Sequence, residues 1–173
     1  MAELVTTDVS QARGPAGEML EKICKFFAVI AGIVLTVMAF MSIVSISGRL
    51  ILSSPIVGDY ELVQMLCAIA VSMSLPYTHW IKGHVIVDFF TVNANPRLNA
   101  LLDGVAHLLL SFFSTVITWR MWVATWELKA AEDVSMLLSI PTWWTYMPMV
   151  ASFALLSLTA LYTCTASLKE MTA

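Results

Sequence analysis

Charged side chains are scarce in this chain. They make up 12% of the residues, whereas hydrophobic residues make up 59%, and an average soluble domain carries about twice that charge. The charges also leave long uncharged runs, at residues 26–48, 62–81 and 134–168. A bilayer crossing needs about 20 mostly apolar residues. The composition therefore argues against a soluble domain and predicts a protein that crosses a membrane several times.

Several chemical motifs are missing as well. The sequence has no glycine-rich phosphate loop, no paired-cysteine metal motif and no nucleophile elbow. We therefore expect neither an enzyme nor an ATP-driven motor, and no cofactor. The three cysteines, Cys24, Cys67 and Cys164, all lie in apolar runs, which argues against a disulfide framework. The net charge of −3 gives no reason to expect a nucleic-acid partner.

The apolar runs predict an all-α fold with four transmembrane helices plus short interfacial helical segments. The run 134–168 is too long for one crossing, and Pro141 disfavours helix in the residue before it. We therefore assign 134–140 to an interfacial segment before the last span. The predicted spans cover residues 24–48, 62–81, 98–126 and 142–168.

The four spans form one membrane domain over residues 22–168, with little chain outside it. Residues 1–21 are a polar start with an amphipathic lead-in, and residues 169–173 are a short tail. The first apolar run exceeds the region of about 7–15 residues found in a secretory signal. We therefore expect it to remain as a span.

The basic residues predict the orientation, because lysine and arginine concentrate on the cytoplasmic side. Six basic residues flank one side of the predicted spans and three flank the other. The six are Arg13, Lys22, Lys25, Lys82, Arg97 and Lys169, and the three are Arg49, Arg120 and Lys129. This bias places both termini in the cytoplasm.

Two ionisable residues flank the first turn between spans. Arg49 ends span one and Glu61 begins span two. A charge at a membrane boundary is costly unless it is paired or reaches water. The two side chains are either solvated ends or an ion pair, which would join the first two spans or contact another subunit.

Two further pairs have helical four-residue spacing. His84 and Asp88 lie in a partly apolar segment, which is either a capped interfacial turn or a docking element. Asp103 and His107 lie early in span three, and Arg120 lies further along it. The 16 uncharged residues between Asp103 and Arg120 span about 24 Å, so both charges fit near opposite edges of the hydrocarbon. The candidate subunit-contact or structural residues are Arg49, Glu61, His84, Asp88, Asp103 and Arg120.

Over about residues 24–168 the order of these features resembles a known family, the small membrane subunit of TRAP (tripartite ATP-independent periplasmic) transporters. The family pattern has an arginine closing span one, a short loop with Pro and Gly, and a glutamate opening span two. A glycine-histidine, an aspartate, and a proline followed by tryptophan come later. The matching residues here are Arg49, Pro55, Gly58, Glu61, Gly83, His84, Asp88, Pro141, Trp143 and Trp144.

The resemblance implies a role, and a place in the bacterial inner membrane, that the spacing of the residues does not show. In such systems a large multi-span permease carries the substrate and sodium sites and performs the elevator movement. A periplasmic solute-binding protein delivers the substrate, which is usually an organic acid. The small subunit is expected to be a scaffold that clasps the permease and contacts membrane lipid. No substrate-binding residue is carried over, because that site is expected in the large subunit.

Two other functions fit four spans. A haem-b anchor of a respiratory enzyme would use His79 and His107 as ligands, but counting along the predicted spans places the two residues at different depths. Two axial ligands must face each other across one iron. A small channel is disfavoured, because the sequence has no ring of pore-lining charges.

Overall fold

The computed structural model describes residues 15–52, 57–81 and 96–172. These residues form four helices, which we number α1 to α4 in chain order. They are α1 (Pro15–Leu52), α2 (Asp59–Trp80), α3 (Pro96–Ala130) and α4 (Trp143–Thr172). Each contains a stretch long and apolar enough to cross a membrane. The prediction of an all-α membrane protein with four spans is confirmed.

Helix α1 extends well beyond its predicted span, whereas the other three helices end within a few residues of the predicted bounds. The 38 residues of α1 correspond to about 57 Å, almost twice the hydrocarbon thickness. The amphipathic lead-in is therefore continuous with span one, and no break separates them between Pro15 and Leu52. The difference arises because apolar runs mark only the part of a helix that lies in hydrocarbon. Backbone hydrogen bonding continues the helix into the interface.

The helices pack in the spatial order α1, α2, α4, α3. Ser45 near the end of α1 contacts Asp59 at the start of α2, so these two helices are antiparallel. Helices α2 and α4 are parallel, since Trp80 and Tyr162 near their ends stack at 5.7 Å. One end of the bundle therefore holds the end of α1 and the starts of α2 and α4. We call it the Arg49 end and the opposite one the His79 end.

Only a narrow stripe of α1 faces the other helices. Its buried residues Gly17, Cys24, Ala31 and Ser45 follow a seven-residue repeat, in which half-buried Met38 stands between Ala31 and Ser45. That spacing keeps one seam in register with a neighbouring helix. Small residues at the seam allow α1 and α2 to approach closely. Gly32 is small but faces outward, since a side-chain carbon added there would meet nothing within 4 Å.

Helices α3 and α4 are joined by hydroxyl groups as well as apolar packing. The hydroxyls of Thr115 and Ser157 lie 2.6 Å apart across the interface. Ser111 donates to the carbonyl of Ser157 over 3.3 Å. Near the His79 end, the thiol of Cys164 donates to the carbonyl of Gly104 over 3.6 Å. These contacts place both helices antiparallel in a fixed register.

The segment 134–140, predicted to be an interfacial helical segment, is not helical. It lies in a closed loop, residues 131–142, which we call the α3–α4 loop. Val134 and Pro141 form an isolated antiparallel bridge, and Ser135 donates its amide to the carbonyl of Ile140 over 2.9 Å. Helix α4 then begins at Trp143, two residues after Pro141. The last helix thus begins within one residue of the predicted start at 142.

Candidate subunit-contact site

Arg49 and Ser45 lie on the same face of α1 at four-residue spacing and approach one carboxylate. That carboxylate is Asp59 in the first turn of α2. The Ser45 hydroxyl donates to Asp59 Oδ2, and an Arg49 guanidinium nitrogen lies 3.8 Å from the same oxygen. The other oxygen accepts the Tyr60 amide over 2.7 Å. Asp59 thus joins the ends of α1 and α2.

The structure therefore gives Arg49 a different carboxylate from the one that the sequence suggested. The ion pair joining the first two helices forms with Asp59, two residues before Glu61. Arg49 keeps 64% of its side-chain surface exposed, so the pair is a surface one and contributes little to stability. The sequence signal for this cluster is the four-residue spacing of Ser45 and Arg49, which places them on one helix face; that this face meets Asp59 depends on how α1 and α2 pack.

Glu61 instead binds the α3–α4 loop. Its carboxylate accepts the backbone amide of Leu137 over 3.0 Å and that of Leu138 over 3.2 Å. The contact joins residues far apart in sequence. A carboxylate holding two neighbouring amides fixes the position of the loop against α2. The candidate residue Glu61 is thus a structural contact within this chain.

Gly58 supplies the second contact between α2 and the α3–α4 loop. It precedes α2 with a φ of +77°, a left-handed conformation that glycine adopts without penalty. A side-chain carbon at this position would lie 2.5 Å from Leu138 Cγ. Only glycine lets Leu138 pack directly on the backbone here.

The remaining candidate residues do not join this cluster. Arg120 is exposed on α3. Its neighbour Met121 lines a small cavity with Glu61, so Arg120 is near the Arg49 end. Asp103 belongs to α3, and its side chain lies outside the described residues, as do His84 and Asp88 entirely.

His79 and His107, the ligands of the haem-anchor alternative, are in direct contact. Their ring centroids lie 5.1 Å apart in an edge-to-face arrangement. The predicted difference in depth is therefore wrong, because α3 begins several turns before the level at which it meets α2. The geometry is still unlike haem ligation, in which the two rings must bind one iron from opposite sides. Touching rings leave no space for it.

An open groove of about 570 Å³ runs along one side of α2 and α4. Val63, Val71 and Phe153 are among its apolar residues. Gln64 also lines the groove, and its side chain is exposed. The groove is therefore a mainly apolar surface that carries one amide group inside a candidate membrane span.

Comparison with family models identifies the relationship of the chain. Residues 37–170 match the model described as tripartite ATP-independent periplasmic transporters, DctQ component. Comparisons with curated proteins and with solved structures gave no significant match. The match covers all but the start of the membrane domain, and the fold has the four spans expected from the sequence. The chain therefore belongs to the DctQ family, the small permease component of TRAP transporters.

Proposed function

We propose that this chain is the fixed scaffold of a sodium-driven TRAP transporter. It clasps a large elevator-type permease, which imports an organic acid delivered by a periplasmic binding protein. The family supports the role of transporter component. The sodium coupling, the elevator partner and the organic acid are our inference from the resemblance of the sequence to such systems.

The distribution of charge is the observation that carries the scaffold role. The spans have no charged residue over 26–48, 62–81, 104–119 and 134–168. A site for an organic anion and sodium near the bilayer midplane needs polar or charged groups and broken helices. The described charges lie toward the helix ends instead. This pattern favours a packing partner over a transport pathway.

The groove between α2 and α4 is our candidate surface for the large permease. The exposed faces of α1 and α3 bear large apolar residues such as Ile33, Phe40 and Phe112, which suit lipid. The groove differs because it contains the exposed amide of Gln64 and the small residue Ala68. A polar group in a span favours a protein neighbour that can hydrogen-bond it, and small residues let helices approach closely.

The charge bias sets the proposed orientation. The start of α1 and the end of α4 lie at the same end of the bundle, the His79 end, and we infer that both termini are on that side. Lysine and arginine dominate the flanks of that side in the sequence. We assign it to the cytoplasm. The Arg49 end then faces the periplasm, where the binding protein approaches.

A pair of matched substitutions tests the docking surface. Ala68→Trp fills the groove, whereas Ala39→Trp adds the same bulk to the exposed face of α1. We expect Ala68→Trp to lower the amount of permease that co-purifies with the tagged chain, while Ala39→Trp leaves it unchanged. Normal yield for Ala68→Trp together with loss for Ala39→Trp would assign docking to α1 and contradict the proposal.

Reconstitution tests the scaffold role itself. In liposomes with a sodium gradient, the chain alone should accumulate no labelled organic acid, whereas the chain with its permease and binding protein should. Accumulation by the chain alone would refute the scaffold role. In the full system, Arg49→Ala or Glu61→Ala should reduce complex yield or uptake more than Lys22→Ala does. Equal values for all three variants would count against these two contact residues.

A further inference from the structure

The tip of the α3–α4 loop exposes two consecutive large apolar side chains. Met136 is 97% exposed and Leu137 is 63% exposed. Single exposed apolar residues are ordinary on any surface. These two are unusual because hydrogen bonds within the loop and to Glu61 hold the loop that carries them in one position.

Most backbone amides of the loop donate hydrogen bonds within the protein. The amide of Ser139 donates to the carbonyl of Ser135 and that of Thr142 to the carbonyl of Asp133, each over 3.1 Å. The amides of Leu137 and Leu138 donate to Glu61. Irregular backbone is tolerated at membrane depth only when its polar groups are paired. The amides of this loop are thus largely paired within the protein before any contact with lipid.

The depth of the tip follows from its bond to Glu61. Glu61 lies in the first turn of α2, within the candidate span Asp59–Trp80. The tip is therefore level with the start of a span and does not project far into water. Tyr60 on the same turn is 76% exposed, and Trp144 in the first turn of α4 is 60% exposed. Exposed aromatic side chains at this level are typical of the membrane–water interface.

Lys129 supports the same depth. Its ammonium group lies 5.0 Å from the centroid of Trp126 and 5.2 Å from that of Trp143. A lysine that packs its stem and charge against indole rings suits a position between the apolar and aqueous regions. Its neighbours thus mark the end of α3 as interfacial too.

We propose that the α3–α4 loop is a pre-ordered lipid anchor. Met136 and Leu137 enter the boundary between headgroups and acyl chains in the leaflet at the Arg49 end. Their burial in lipid is favourable and carries no further entropic cost of ordering the loop, because Glu61 and the loop's own hydrogen bonds already hold it. The anchor fixes the depth of α2 and α4, to which the loop is attached. The proposed anchor requires that the four helices span the membrane, and it is independent of which solute is transported.

Spin labelling measures the position of the tip directly. The label is attached at Met136→Cys in a Cys67→Ser background, in which Cys24 and Cys164 are buried. The full chain is reconstituted in phosphatidylethanolamine–phosphatidylglycerol vesicles, with and without its co-expressed permease. Accessibility to oxygen reports lipid, and accessibility to a water-soluble nickel chelate reports water. The matched control is Glu132→Cys, an exposed position at the base of the same loop.

Lipid contact predicts that the label at 136 is reached by oxygen more than by the nickel chelate, with the opposite order at 132. A label at 136 that is as accessible to the chelate as one at 132 would overturn the proposal. So would a label at 136 that becomes immobile and inaccessible to both reagents, since this means contact with protein. Immobilisation seen only with the permease would identify that subunit as the occupant.

A second variant tests whether the loop is pre-ordered. Glu61→Ala removes the acceptor for the amides of Leu137 and Leu138. We expect the label at 136 to become more mobile and its oxygen preference to fall. Glu127→Ala is the control, because that exposed carboxylate lies on α3 outside the contact. Unchanged mobility in Glu61→Ala would show that Glu61 does not hold the anchor in place, and the proposal of a pre-ordered anchor would fail.

Discussion

Replacing Gly58 by alanine should loosen the α3–α4 loop, for two separable reasons. A non-glycine residue at a φ of +77° has an unfavourable left-handed backbone, which costs roughly 1–2 kcal/mol. The added carbon would also lie 2.5 Å from Leu138 Cγ, so the leucine must move. Displacing Leu138 lengthens the bonds from the loop amides to Glu61. The backbone cost alone changes a local opening equilibrium by roughly 5- to 30-fold.

Hydrogen–deuterium exchange on peptides covering residues 131–142 measures this opening. We expect exchange in Gly58→Ala to be faster by at least the roughly 5- to 30-fold that the backbone cost alone gives. Gly32→Ala is the matched control, because Gly32 is helical and a carbon added there meets nothing within 4 Å. Exchange in the loop should be unchanged in the control.

A double-mutant cycle separates the two causes. In a Leu138→Ala background the overlap is relieved and only the backbone cost remains, so Gly58→Ala should have a smaller effect there. Equal exchange in Gly58→Ala and Gly32→Ala would refute the reasoning that Gly58 holds the loop. An undiminished effect in the Leu138→Ala background would refute the overlap alone.

Three further predictions concern the packing of the helices and the absence of a haem. Ser157→Ala removes the hydroxyl contact between α3 and α4 and should lower the free energy of unfolding in detergent by about 0.6 kcal/mol, the average for such bonds in membranes; Ser47→Ala, at an exposed position of α1, should have no effect, and equal losses would contradict the assignment. Ala31→Phe overpacks the seam of α1 and should lower the free energy of unfolding by about 1–3 kcal/mol. Ala39→Phe, on the exposed face of α1, should leave it unchanged. A larger loss for Ala39→Phe than for Ala31→Phe would refute the assignment of the seam. The purified protein should be colourless, and a Soret band in its absorption spectrum would revive the haem-anchor alternative.

The spans were predictable because hydrocarbon excludes charge from every residue that it surrounds. That constraint acts on each segment separately, so the uncharged runs locate the four helices without knowledge of their neighbours. The boundary at Pro141 was predictable for a similar local reason, since proline restricts the residue before it. Helix lengths were harder to predict from the sequence, because a helix that continues beyond the hydrocarbon can carry charged residues without a comparable cost in free energy.

The partners of the ionisable residues could be predicted only in part. Sequence placed Arg49 at the end of span one and Glu61 at the start of span two, but pairing depends on side-chain direction. Arg49 shares its helix face with Ser45, and that face meets Asp59. Glu61 turns toward amides 76 residues later in the chain. No sequence pattern near Glu61 predicts its contact with the α3–α4 loop.

The sequence by itself determined that this chain is a four-span membrane protein of the DctQ family, because apolar length and the order of a few boundary residues are written along the chain. Only the tertiary structure decided that α2 and α4 lie in the middle, that His79 meets His107, and that Gly58 and Glu61 hold the α3–α4 loop. These are contacts between distant segments. Their geometry depends on the register and tilt of packed helices, which the spacing of apolar residues does not specify.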